Sequence, residues 1–153
     1  MLPALLATAL ATTPIPGPQV LYETRAVACA APGEQMTLSI SFEAGFQNRV
    51  QILDASAGRT LAIFDNRFGG YEASDATHPP GPITIEAGAV ARCVVISATF
   101  RTSDGAPWVQ SKGRFSCTDA GFEDSTDADY NDAFVHLDGG SFREVPGCTE
   151  PQS

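Results

Sequence analysis

The 153-residue chain predicts an all-β protein, an antiparallel β-sandwich of about 8–10 short strands. Three observations lead there. The stretch "QMTLSISFE" alternates strictly, with Met36, Leu38, Ile40 and Phe42 on one face and Thr37, Ser39 and Ser41 on the other. Clusters of Gly, Pro, Asn and Asp, notably "DNRFGG", "THPPGP" and "TSDGAP", recur between short apolar runs. No stretch of adequate length carries a helical period. Short strands joined by turn-rich connections bury their apolar faces as two packed antiparallel sheets.

The chain opens on "MLPALLATALATTPIPGPQ", an apolar run of about ten residues followed by Ala9-Leu10-Ala11 and three prolines in five positions. This matches the apolar core and small-residue cleavage site of a signal peptide, although no Lys or Arg precedes the run. The run is too short to span a bilayer. Residues 1–19 are expected to be a signal-like or disordered leader, residues 20–148 a single domain and residues 149–153 a short tail. Such a leader implies a secreted, extracellular or periplasmic protein, and no other segment is a membrane candidate.

Within the domain, "RVQILD" points Val50 and Ile52 inward, and "TLAIF" is expected to do the same with Leu61 and Ile63. Further strands are expected at "ITIE", "ARCVVISATF", "WVQ", "RFSCT" and "AFVHLD". Four cysteines (Cys29, Cys93, Cys117 and Cys148) are too widely spaced for a zinc site. Export and an even count favour two disulfides, with three pairings open. Symmetric pairing about Gly105 in the turn "TSDGAP" sets Cys93 opposite Cys117, where facing Cβ atoms lie about 4.5–5.5 Å apart. That arrangement leaves Cys29 for Cys148.

A net charge of −9 removes nucleic acid and anionic lipid from the partners, since both need a basic surface. The charge is also uneven. Residues 119–132 hold six of the eighteen acids, and no Lys or Arg falls between Asp119 and Arg143. The segment "GFEDSTDADYND", residues 121–132, connects "RFSCT" to "AFVHLD", at one end of the sandwich. Its side-chain oxygens come from Glu123, Asp127, Asp129, Asn131 and Asp132, with Asp124 available.

Calcium takes six to eight oxygens in tolerant geometry, and a compact loop with these offsets can wrap them round a cation. The carboxylates outnumber the needs of one ion, so two ions sharing bridging aspartates are expected. Without metal the same groups repel, and some must protonate at raised pKa values. The run Asp127-x-Asp129-x-Asn131 starts like an EF-hand, but Asp132 stands where Gly is required and Asp138 where Glu is required. Tyr130, inside the loop, is expected to pack inward and set its shape.

At "GFEDSTDADYNDAFVHL" the sequence resembles the bacterial two-calcium lectins that bind fucose and mannose. Their loop reads Glu-Asp-Gly-Thr-Asp-Asn-Asp-Tyr-Asn-Asp before a short apolar strand, and Glu123–Asp132 departs from it at Ser125 and Ala128. The resemblance implies that Glu123, Asp127, Asp129, Asn131 and Asp132 are calcium ligands, with Asp129 and Asp132 bridging two ions. It implies that Asp124 accepts a hydrogen bond from the sugar. Laid without gaps on the family's first hairpin, "SISFEAGFQNRVQILD" places Glu43 where an asparagine ligates calcium. Ala44, Gly45 and Phe46 then fall on the loop that sets sugar preference, with Phe46 bulky where the family is small and polar. In that family a neighbour's terminal carboxylate completes the site, whereas here "DGGSFREVPGCTEPQS" runs on past that point. A homo-oligomer stays open, but not that dimer by default.

The expected function is calcium-dependent carbohydrate binding, with sugar hydroxyls coordinated by two calcium ions in the acidic loop. The alternative is a calcium-stabilised structural or adhesion domain of a secreted protein without sugar binding. Phe46, Tyr71 and Trp108 are aromatic candidates for stacking on a sugar, and core or rim packing is the plainer role for each. A hydrolase is disfavoured: carboxylates committed to metal are poor general acids, and no nucleophile motif accompanies His78 and His136. No catalytic residue is assigned.

Overall fold

The computed structural model describes residues 19–66, 82–124, 130–143, 145 and 148. They form the antiparallel β-sandwich that the alternation predicts. The strands are β1 (Gln19–Glu23), β2 (Arg25–Ala30), β3 (Gln35–Phe42), β4 (Gln47–Asp54), β5 (Thr60–Asp65) and β6 (Ile83–Glu86). They continue as β7 (Arg92–Arg101), β8 (Val109–Gln110), β9 (Lys112–Phe115), β10 (Asp119–Glu123), β11 (Ala133–Asp138) and β12 (Ser141–Phe142). One sheet has the order β1-β9-β10-β11-β3-β6. The other has the order β12-β2-β7-β4-β5, with β8 paired to β7. No helix of the described residues is long and apolar enough to cross a membrane.

The inward faces are those of the alternating runs. Met36, Leu38 and Phe42 of β3 and Val135 and Leu137 of β11 meet Val50 and Ile52 of β4 and Val94 and Ile96 of β7 in one buried cluster. Each such side chain contributes about 1.5–3 kcal/mol by leaving water. Phe115 packs edge-on to Phe122 and stacks near Phe142, with centroids 5.8 and 6.1 Å away.

Three expectations are corrected. On β5 the inward residues are Ala62 and Phe64, opposite Ile52 and Val50, while Ile63 is 52% exposed. The ladder is regular over this stretch, and Ile63 is paired with Gln51, which alternates out of phase with the inward Val50 and Ile52. The described strands number twelve because β1, β2, β10 and β12 were not read from the sequence. The "RAVACA" of β2 is alanine-rich, and alanine has little strand preference of its own.

The disulfides are Cys29–Cys93 and Cys117–Cys148, not the pairs expected from the hairpin. That hairpin exists, but it pairs only Thr99 with Gln110 and Phe100 with Val109. Beyond it the chain enters β9 of the other sheet, which carries Cys117 away from β7. Cys93 instead faces Cys29 directly in the β2–β7 ladder.

Candidate metal centre

The ladder registers bring three acids to one end of one sheet. Phe42 pairs with Ala133, and Ala133 with Phe122. The next residues along these strands are Glu43, Asp132 and Glu123. Asp124 follows where β10 ends. Glu123, Asp124 and Asp132 are all buried, and each offers a carboxylate oxygen within 4.8 Å of the others. The Asp124 amide donates to Asp132 Oδ2 at 2.8 Å and to Glu123 Oε1 at 3.1 Å.

Three carboxylates at this separation cannot all stay charged in a buried pocket without a cation. Burial, followed by the hydrogen bond with Glu123, pushes Asp132 up to about 9, while the Asp124 amide pulls it the other way. The cation-free cluster therefore holds a proton at neutral pH. The folded pKa lies above the ordinary 3.8, so the fold binds more protons than the unfolded chain between 3.8 and about 9. Stability contributed by that proton is full at the acid end of this window and is lost as pH rises through it. In EDTA, the melting temperature is expected to fall steadily from about pH 5 to about pH 9; a flat profile would contradict the shared proton.

Tyr130 donates from its amide to Glu123 Oε2 at 3.5 Å. Its φ of 56° is left-handed, which is strained for a bulky residue. The surroundings enforce it. Tyr130 is buried, with the Arg114 guanidinium 5.1 Å from its ring centroid. Its carbonyl lies where a Cβ on residue 121 would sit, so only Gly121 admits this approach. Tyr130 does pack inward, as expected, and Arg114 is a cation close to the loop that the local sequence did not reveal.

Of the expected ligands, Glu123 and Asp132 come together, and Asn131 is part-exposed beside them. Asp127 and Asp129 lie outside the described residues. Glu43 reaches the cluster through its main chain, its amide donating to the Asp132 carbonyl at 3.2 Å, while its side chain is exposed. Ala44 is buried and Gly45 exposed. Phe46 stacks on Phe100 with centroids 6.2 Å apart. Trp108 is flanked by the guanidiniums of Arg49 and Arg101 at 4.3 and 4.8 Å, which is packing rather than an open platform. Tyr71 and His78 lie outside the described residues. Asp124, expected to face a sugar, is only 6% exposed.

Two residues that sequence reasoning missed complete the surroundings. Asn48, fully buried on the inward face of β4, donates from Nδ2 to Asp124 Oδ2 at 2.7 Å and to the Phe46 carbonyl at 3.2 Å. Asn66 accepts the Asn48 amide through Oδ1 at 2.8 Å and donates from Nδ2 to the same Phe46 carbonyl at 3.0 Å. The available signal was Asn48 itself, an amide in line with Val50 and Ile52 on an apolar face. The described donor set is all oxygen and rich in carboxylate, which suits a hard divalent cation.

No family model and no curated protein matches the chain. Among solved structures, it is similar to the Ralstonia solanacearum high-affinity mannose-binding lectin, at 19% identity over 72% of this chain and 92% of that one, with a TM-score of 0.45. It is similar to the C-terminal domain of the lectin BC2L-C from Burkholderia cenocepacia, at 19% identity over 73% and 92%, with a TM-score of 0.47. It is also similar to the Chromobacterium violaceum lectin CV2L, solved with α-methyl-fucoside, at 20% identity over 72% and 92%, with a TM-score of 0.44. The structural neighbours are thus bacterial lectins, the kind of protein the acidic loop resembles.

Proposed function

We propose that the protein is an exported, non-enzymatic, calcium-dependent carbohydrate-binding domain. The observation that carries this is the convergence of Glu123, Asp124 and Asp132, three buried carboxylates within 4.8 Å, on a loop whose remaining residues add Asp127, Asp129 and Asn131. Six oxygen-bearing side chains meet the needs of calcium, and their charge suits two ions. Calcium, when bound, supplies coordination positions that vicinal sugar hydroxyls can occupy. The protein's part is to hold the carboxylates together, to accept hydroxyl protons on neighbouring oxygens and to shape the approach with residues 43–46. The two disulfides fit an oxidising compartment outside the cytoplasm.

A second reading has its own support. Asp124 is buried and one of its oxygens is held by Asn48, so the acid expected to meet a sugar is turned into the protein. On that reading calcium only rigidifies the loop and couples folding to metal. A glycan array run with calcium and then with EDTA separates the two. Binding that EDTA reverses is the expected result. A melting temperature raised by calcium, with no glycan retained, would replace the lectin by the structural domain.

A further inference from the structure

The geometry points to Asn48 as the residue that joins the acidic cluster to the Glu43–Phe46 turn, so that filling the cluster and fixing the turn become one event. This rests on the proposed calcium site and adds a positioning residue to it. Asn48 belongs to one sheet, and the acids lie at the end of the other. Its Nδ2 spans the gap, donating both to Asp124 Oδ2 and to the Phe46 carbonyl. Asn66 donates to that same carbonyl and also holds the Asn48 main chain, so the Phe46 carbonyl is gripped by both side-chain amides. On the far side of the turn, the Glu43 amide donates to the Asp132 carbonyl. Both ends of the turn are therefore tied to acids of the cluster, one of them through Asn48.

Packing alone does not account for an asparagine here. The position is 0% exposed and in line with Val50 and Ile52, where an aliphatic side chain would bury without penalty. Instead, Asn48 Oδ1 is buried with no hydrogen-bond partner among the described residues. An unmade hydrogen bond in the core is destabilising, and what the amide gains in exchange is the donor aimed at Asp124. Residues that hold a metal ligand from behind change metal affinity by about 10–100-fold when removed.

The test uses Asn48→Leu, Asp124→Ala and the double variant in the full chain, with calcium titration and amide exchange of residues 43–46. Asn48→Leu is expected to lower calcium affinity about 10–100-fold, and its melting temperature in EDTA, where Asp124 Oδ2 also loses this donor, is measured beside it. In the Asp124→Ala background it should add little, because it acts through Asp124. Calcium should slow exchange across residues 43–46 in the parent and not in Asn48→Leu at saturating calcium. Fully additive losses, or an unchanged affinity, would overturn the assignment. If the parent takes up no calcium, the proposed function fails on its own, and the latch is judged in EDTA. There Asn48→Leu must still speed exchange of residues 43–46, and equal rates would refute it. Should Asn48→Leu not fold, Asn48→Ala removes the same donor without adding bulk and carries the same expectations for calcium affinity and exchange, with a lower melting temperature from the space it leaves.

Discussion

Asp132→Asn is expected to remove the calcium response of the protein while leaving its calcium-free fold in place. Asparagine matches the protonated carboxyl that the cluster already holds. Its Oδ1 can accept the Asp124 amide that now donates to Asp132 Oδ2 at 2.8 Å, and its NH₂ can donate to Glu123 as the shared proton does. At neutral pH in EDTA the melting temperature should therefore stay within about 3 °C of the parent. The fall in stability between pH 3.8 and about 9 should vanish, because the group that titrates in that window is gone. Calcium should show the opposite behaviour. Losing one charged partner from a buried set costs about 3 kcal/mol, or about 100-fold in affinity. The parent should gain about 2.7 kcal/mol at calcium 100 times its dissociation constant, and the variant almost nothing. Calorimetric titration and thermal melts with and without EDTA check both halves. Parent-like calcium affinity would remove Asp132 from the ligand set; a collapse of stability in EDTA would make its role structural.

The parts of the fold that were legible are those where local pattern and tertiary contact agree. On β3, β4 and β7 one face meets the core, and the alternation of Met36, Leu38, Val50, Ile52, Val94 and Ile96 reports it directly. On β5 the pattern misled, because both faces of "TLAIF" are apolar and only the pairing of Phe64 with Val50 and Ala62 with Ile52 decides which one is inward. β2 was hidden because its inward residues are alanines, buried by neighbours rather than by their own hydrophobicity.

The site divides the same way. Glu123, Asp124 and Asp132 are close in sequence, and mutual repulsion alone marks them as a group that must take up a proton or a cation. Asn48 is 76 positions from Asp124 and Arg114 comes from a neighbouring strand, so their roles exist only once the sheets are paired. Cysteine pairing failed for a related reason. Turn symmetry about Gly105 is a local argument, and the crossing of the chain into the other sheet after Gln110 is a topological fact.

That crossing leads to the second large effect. Replacing Cys29 and Cys93 together by alanine should lower stability by about 4 kcal/mol, since the bridge closes a sequence separation of 64 residues. At this size that is a drop of about 10 °C or more in melting temperature. Calcium affinity should nonetheless stay within about threefold of the parent. The β2–β7 ladder places Cys29–Cys93 beside the Ala30–Arg92 pair, and the β4–β7 ladder ends there at Asp54–Val94. The acids and Asn48 lie at the other end, where Gln47 pairs with Arg101 and Asn48 with Phe100. Sites this far apart with no shared partner act independently on free energy. Thermal melts and calcium titration of the double variant, set against the parent under oxidising conditions, measure the two quantities separately. A loss of affinity that tracks the loss of stability would mean that the two ends of the sandwich are coupled through β4 and β7, and the cluster would then be a reporter of global strain rather than a local cation site.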